Sequence, residues 1–517
     1  LVAQLFCEDA ILAADNSAVS FTRPGRYRRP LAVPLNSRRP SPWGEFTFAA
    51  AREEQMAKQA KASSDDLTAE ALHVAEERSL AYLRNLSHRK VYPSDSAVAA
   101  LAQFHEPFPE QPSHPANVIR RLDEFGSPAT VASVGGRYFG FVIGGTLPAA
   151  LAASRLANTW DQNAVFRVMS PVAAELEEVV LRWVCDILGI PESCEGGLVT
   201  CATAANFTSL AAARHELLAR NGWDVAADGM FGAPAIEVVV GEEVHASVLK
   251  ALNLAGFGQK RVTQVPTDSQ GRVRANKLPK LKKNSLVCIQ AGNVNTGSFD
   301  PAGEICAWAH ERDAWVHVDG AFGLWAAASP KYRHLVSGFE LADSWATDAH
   351  KWPNVNYDCG LVLVRNAAAL RAAMSISAAY LQPGSQREPA NQTPDASRRA
   401  RAIELWAALK SLGRQGLVEL VERTCAYARR FAEGLREAGY DILNDVVINQ
   451  VLVSFGSAEI TREVMRRVQE DGTCWCGGTV WQGKTAMRIS VSSWATTEED
   501  VELSLAAICR IARQVRT

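Results

Sequence analysis

Two residues set the chemistry to look for. Asp319 closes the short apolar run Trp315-Val316-His317-Val318-Asp319, and Lys351 ends the turn Asp348-Ala349-His350-Lys351, just before Trp352. A lysine amine can form a Schiff base with an aldehyde, and an acid at a strand end can keep a ring nitrogen protonated. Gly320, Ala321 and Gly323 follow the acid, so a flat ring could lie against backbone with little side chain in its way. Alone, Asp319 passes for a turn former and the His350-Lys351 pair for surface. Together they are what pyridoxal 5'-phosphate (PLP) requires.

Such a pair needs a scaffold that brings distant segments together. Gly197–Thr200 reads as a strand, Cys201 to Asn206 as a tight turn, and the residues through Leu217 as a helix. Small residues at a helix start leave N–H groups free for a phosphate, so Ala202 and Thr203 are candidate phosphate ligands, Thr203 adding a hydroxyl. An ordinary helix cap is the plainer reading of the same turn. His245 opens a helix after the strand-like Ile236–Val240, where α/β folds place ligands; a satisfied structural histidine is the alternative. Leu286–Gln290 is another buried strand, and the turn after it holds Asn293, whose amide could hydrogen-bond near a ring. Strands alternating with helices across 196–365 predict a mostly parallel sheet with helices on both faces. Right-handed crossovers then bring Thr203, His245, Asp319 and Lys351 to one edge.

On the His317-Val318-Asp319-x-Ala321 and Asp348-x-His350-Lys351-Trp352 motifs, the sequence resembles the group II PLP-dependent decarboxylases from about Asp66 to Val515. The resemblance implies the type I, aminotransferase-like α/β fold, with a smaller α+β C-terminal domain, in a homodimer. It implies that Lys351 carries PLP, that Asp319 holds the ring nitrogen, and that His245 stacks on the ring and helps orient the substrate. Ala202, Thr203, Asn293, Ala321, Asp348 and His350 would complete the cofactor contacts. Phe139, Phe141 and Tyr380 would border the substrate, although the aromatics around Gly140 also read as core. The reaction implied is loss of the α-carboxylate of an L-amino acid as CO2, leaving the amine.

The chain departs from the family pattern in three places. Cys201-Ala202 replaces a Ser-Glu-Ala-type run, and Asn293 stands where relatives carry threonine. The polar, proline-rich segment 381–396, expected to be a mobile loop, has no Tyr, Phe or His, whereas family members present a proton-donating tyrosine there. His245 or Lys351 could supply the proton instead. Decarboxylation coupled to oxidative deamination, aldolase-type cleavage, transamination and a catalytically inert PLP-fold protein all stay open.

Bulk properties agree with a soluble enzyme. At 517 residues the chain exceeds one compact core. A formal net charge of -2 gives no electrostatic reason to expect nucleic acid or an anionic membrane as partner. The apolar run from Tyr138 to Leu156 is broken by Gly140, Gly144, Gly145 and Pro148, which predicts a buried turn and helix rather than a membrane span. Eleven cysteines without paired spacing suggest a reducing cytoplasm, and Cys474-Trp475-Cys476 has no histidines beside it that would make it a metal site. The expected divisions are an arginine-rich extension over 1–45 that is as readily non-native as native, a helical segment over 46–130 that packs on the partner, a large PLP-binding domain over 131–365, and a loop plus small domain over 366–517. Ser397-Arg398-Arg399-Ala400-Arg401 puts positive charge at a helix start, against the helix dipole, so these arginines want acidic partners or solvent.

Overall fold

The computed structural model describes residues 64–375 and 386–516; Tyr380 and the 1–45 extension lie outside them. Thr68–Thr517 is one compact unit, which carries both sheets and the site. The first described helices are α1 (Ser64–Asn85), α2 (Asp95–Ala100), α3 (Pro115–Gly126) and α4 (Pro148–Trp160). Helix α5 (Pro171–Leu188) has Pro171 in its first turn and Ser170 as cap, whose hydroxyl accepts the Ala173 N–H.

Seven strands form the larger sheet: β1 (Glu195–Val199), β2 (Val238–Gly241), β3 (Val262–Val265), β4 (Leu286–Gln290), β5 (Trp315–Asp319), β6 (Ser344–Asp348) and β7 (Gly360–Val364). Their order is β1-β7-β6-β5-β4-β2-β3, and only β7 runs antiparallel to its neighbours. Helices α6 (Ala202–Ala219), α7 (Val225–Asp228), α8 (Ala246–Leu254), α9 (Ala302–His310) and α10 (Ala367–Met374) alternate with these strands. Every residue of β2, β4, β5, β6 and β7 is buried, the signature of a sheet covered on both faces. Val316 and Val318 enter a core shared with α5 and α9, whereas Trp315 enters a second core with α6 and α8. The period of two in β5 therefore puts His317 and Asp319 on the α6 side.

Helix α11 (Ala402–Glu437) is two helical stretches meeting at Gly413, where φ is +59°. The smaller sheet, β8 (Asp441–Ile442), β9 (Gln450–Ser454), β10 (Gly477–Trp481) and β11 (Lys484–Ser490), is antiparallel in the order β10-β11-β9-β8. It packs with α12 (Ala458–Asp471) and α13 (Glu498–Arg516) around Phe431, Phe455 and Ile489. Among the described residues no helix is long and apolar enough to cross a membrane. The stretch around Gly140 and Gly144 is turn, followed by α4.

The described part of the expected mobile loop is anchored. Glu177, 2% exposed, takes Arg387 Nη2 on one carboxylate oxygen and Arg398 Nη2 on the other, both at 2.7 Å. Arg398 also donates to the carbonyls of Ala164 and Leu198. The other two arginines are likewise paired: Arg399 with Glu404, and Arg401 with Asp358 through its Nε at 2.7 Å. Acidic partners thus offset the charge that the dipole of α11 disfavours.

Candidate active site

A polar chain runs from the start of β6 through β5 and α6 to the carboxyl end of β5. His317 is fully buried, its Nε2 2.9 Å from Asn206 Oδ1 and its Nδ1 3.0 Å from Ser344 Oγ. Burial drives its pKa down to about 4, so the ring is neutral, and an acceptor at Asn206 assigns the proton to Nε2. Asn206 Nδ2 donates to Ser247 Oγ at 3.3 Å, and Ser247 reaches Asp319 Oδ2 at 3.5 Å. His245 caps α8, its Nδ1 accepting the Ser247 N–H at 3.2 Å and facing the Ser247 hydroxyl at 2.8 Å. Ser247 thereby ties the candidate stacking histidine to the candidate ring-nitrogen acid.

The second half of the site comes off β6. Asp348 Oδ1 accepts the Ala202 N–H at 2.6 Å, and its Oδ2 lies 3.1 Å from Lys351 Nζ and 3.6 Å from His350 Nε2. One buried carboxylate thus joins the first turn of α6 to the lysine. Ala321 links the strands from the other side: its N–H donates to Asp319 Oδ1 at 3.3 Å and its carbonyl accepts the Asp348 N–H at 2.9 Å. The His350 Nδ1 accepts the Cys359 N–H at 3.2 Å, and burial lowers its pKa, with the Asp348 charge opposing. Asn293 is buried and folds its Oδ1 back onto the N–H groups of Asn295 and Thr296, while its Nδ2 is a buried donor without a partner.

The two halves meet at Ala321. Burial is the main cause of the lowered His245 pKa, and after it act Asp319, Lys351, Arg488 and Asp348. Arg488, on β11, donates at 3.3 Å to the Val294 carbonyl; burial lowers its pKa, and the Tyr138 phenol opposes that. Burial pushes the Tyr138 pKa up to about 12.

The aromatic candidates separate. Phe139 is a packing residue, fully buried and edge-on to Phe431 at 5.1 Å. Phe141 is 61% exposed and stacks on Trp475, whose other neighbour is Tyr138. It stands at positive φ (53°), as does Val142, an uncommon backbone for such residues and a mark of a turn fixed by its surroundings.

The pyridoxal-dependent decarboxylase conserved domain matches residues 105–456. The chain belongs to the pyridoxal-dependent decarboxylase family. Tryptophan decarboxylase 1 of Oryza sativa subsp. japonica is 28% identical to this decarboxylase over 405 residues, 70% of this chain and 78% of that protein. The 4-hydroxyphenylacetaldehyde synthase of Rhodiola rosea is 29% identical over 359 residues, 64% of this chain and 72% of the synthase. The crystal structure of Oryza sativa TDC with PLP and tryptamine has the same fold, with TM-score 0.81 at 22% identity over 88% of this chain and 99% of that one.

The residues of this decarboxylase suit PLP, its cofactor. The first turn of α6 gives the Ala202 N–H to Asp348, and among the described residues the Thr203 and Ala204 N–H groups have no hydrogen-bond partner, which leaves them for an oxyanion. Close backbone approach builds the cradle. A Cβ on Gly360 would come 2.6 Å from the Cys201 backbone, and one on Gly144 would come 1.9 Å from the Lys351 carbonyl oxygen. Two residues at the site carry no prediction from the sequence. Ser247 is buried in the helix-start pattern around His245, and Tyr357 follows the lysine turn in a stretch with no catalytic signature of its own.

Proposed function

We propose that this decarboxylase acts on an aromatic L-amino acid and that Lys351 is the residue that carries PLP. The observation behind the reading is the junction at Asp348, where the lysine amine and the α6 N-terminus share one buried carboxylate. When bound, PLP supplies an electron sink that weakens the bonds at the amino acid's Cα. Asp319 keeps the ring nitrogen protonated, and Ser247 holds both that acid and His245 in place. His245, whose pKa burial lowers, offers a flat face for stacking. Ala202, Thr203, Asn293, Ala321, Asp348 and His350 are the remaining cofactor-side residues. An aromatic substrate is supported by the relatives' own names and by the exposed Phe141 ring beside Trp475.

We also infer a homodimer. Apolar side chains stay exposed on α1 (Leu72, Leu80, Leu83) and α4 (Leu151, Leu156, Trp160), and Val168 is 88% exposed. A second copy could cover them, with the helical segment 46–130 on the partner, the large domain over 131–365 and the small one over 366–517. The ten cysteines among the described residues are all free, in keeping with a reducing cytoplasm.

A second reading has its own observation. The described residues 386–396 contain no Tyr or His, and one relative is an aldehyde synthase. On that route the amino acid, dioxygen and water give aldehyde, CO2, ammonia and hydrogen peroxide. A panel of aromatic and aliphatic amino acids, assayed for CO2, amine, aldehyde and peroxide, separates the two. Borohydride trapping followed by peptide mapping should place the reduced cofactor on Lys351; a label elsewhere ends the lysine assignment.

A further inference from the structure

Loss of CO2 leaves an electron pair on Cα, and an amine forms only when a proton takes the carboxylate's place. The site offers few groups able to give one. His350 is 4% exposed, its Nδ1 occupied by the Cys359 N–H and its Nε2 beside Asp348. His245 accepts the Ser247 N–H on Nδ1, so its ring proton sits on Nε2, and Lys351 Nζ lies 3.1 Å from Asp348 Oδ2; these two are the competing donors. Tyr138 is 7% exposed and stacked on Trp475. Tyr357 is different: it is 55% exposed, and its ring lies on the His350 imidazole with centroids 4.4 Å apart.

Resting on the Lys351 reading, we propose that Tyr357 is the acid that protonates Cα after CO2 has left. The ring's neighbours form a short path to the lysine: Tyr357 on His350, His350 Nε2 at 3.6 Å from Asp348 Oδ2, and that same oxygen 3.1 Å from Lys351 Nζ. The Asp348 and Tyr138 charges act on the phenol, and the Tyr357 backbone carbonyl accepts Arg399 Nη1 at 3.3 Å. Next along the chain, Asp358 is held by Arg401, which fixes the segment. Atoms packed around the ring desolvate the phenol and raise its pKa, with the Asp348 charge adding to it, although more than half of the side chain stays open to solvent; the group keeps its proton across the working range. The Tyr357 O–H bond breaks as the C–H bond forms from the electron pair on Cα. The phenolate then takes a proton from water, which its exposed position admits.

The test compares Y357F and Y357H with the parent holoenzyme. Y357F should bind PLP as tightly as the parent, read from the absorbance of the bound cofactor. It should lose about 10²- to 10⁴-fold in kcat with little change in KM. Y357H, which restores an acid, should recover part of that loss. In the cofactor-free protein, the near-ultraviolet tyrosinate titration of the parent minus that of Y357F should show one phenol ionising near pH 12, at about the raised value. A Y357F kcat within about threefold of the parent, a phenol ionising below neutral pH, or loss of PLP from both variants overturns the proposal. K351A, scored only by loss of the bound-cofactor absorbance, tests the lysine reading apart from Tyr357.

Discussion

The two sheets treat buried polar residues in opposite ways. In the smaller sheet they close on each other: Ser490 donates to Gln450 at 2.6 Å, and Asn449 gives its amide to the Val491 carbonyl and the Ser492 hydroxyl. In the larger sheet the chain through His317, Asn206 and Ser247 ends on Asp319 and His245 at the strands' carboxyl edge. A buried polar network that closes is structural support. One that stops at a strand end has groups to spend on a ligand.

If that contrast is right, substitutions at the open edge should remove chemistry, and substitutions in the smaller sheet should remove stability. The largest effect is expected for K351A, about 10⁶-fold in kcat, the scale seen when a covalent residue is removed, with the fold intact by circular dichroism. D319N should follow, at about 10²- to 10³-fold in kcat, because a neutral amide cannot hold a protonated ring nitrogen. Phe431→Ala, on α11 in the core that packs against the smaller sheet, should cost about 3–5 kcal/mol in urea unfolding while leaving kcat per bound PLP near the parent value. Loss of chemistry without loss of stability in that variant would erase the distinction between the sheets.

The smallest effect lies on the back of the larger sheet. His310 Nε2 is 3.1 Å from Asp343 Oδ2, and that hydrogen bond raises the imidazole pKa, with burial opposing. A folded pKa above the ordinary 6.5 means the pair stabilises the protein below that pH and stops doing so as pH rises through the raised value. The pair is half-exposed, so the contribution stays under about 1 kcal/mol. H310Q should lower the urea midpoint at pH 5 to 6 and leave it unchanged at pH 9; an equal drop at both would mean the charge plays no part.

How far the sequence foretold this depends on which physical signal each part carries. Leu286–Gln290 has the expected bounds, a fully buried apolar run. The short strands β8 and β10 carried no pattern strong enough to see, since short antiparallel strands take their pairing from distant partners. Asp319 and His245 stood out as candidates because strand ends and helix starts are where α/β folds place ligands, and Lys351 because its amine ends a distinctive turn. Ser247 and Tyr357 were not, because a serine in a helix and a tyrosine after a turn gain meaning only from what folds against them. The arginines near α11 posed the charge problem in sequence; only the fold showed Glu177 and Asp358 answering it.

The two arginines on Glu177 are eleven positions apart in the chain, and they meet at one side chain. A protease cut between them would therefore leave both new termini tethered to helix α5. Limited digestion would nick this segment without freeing it, and the severed protein would still migrate as one particle until denaturant released the fragments.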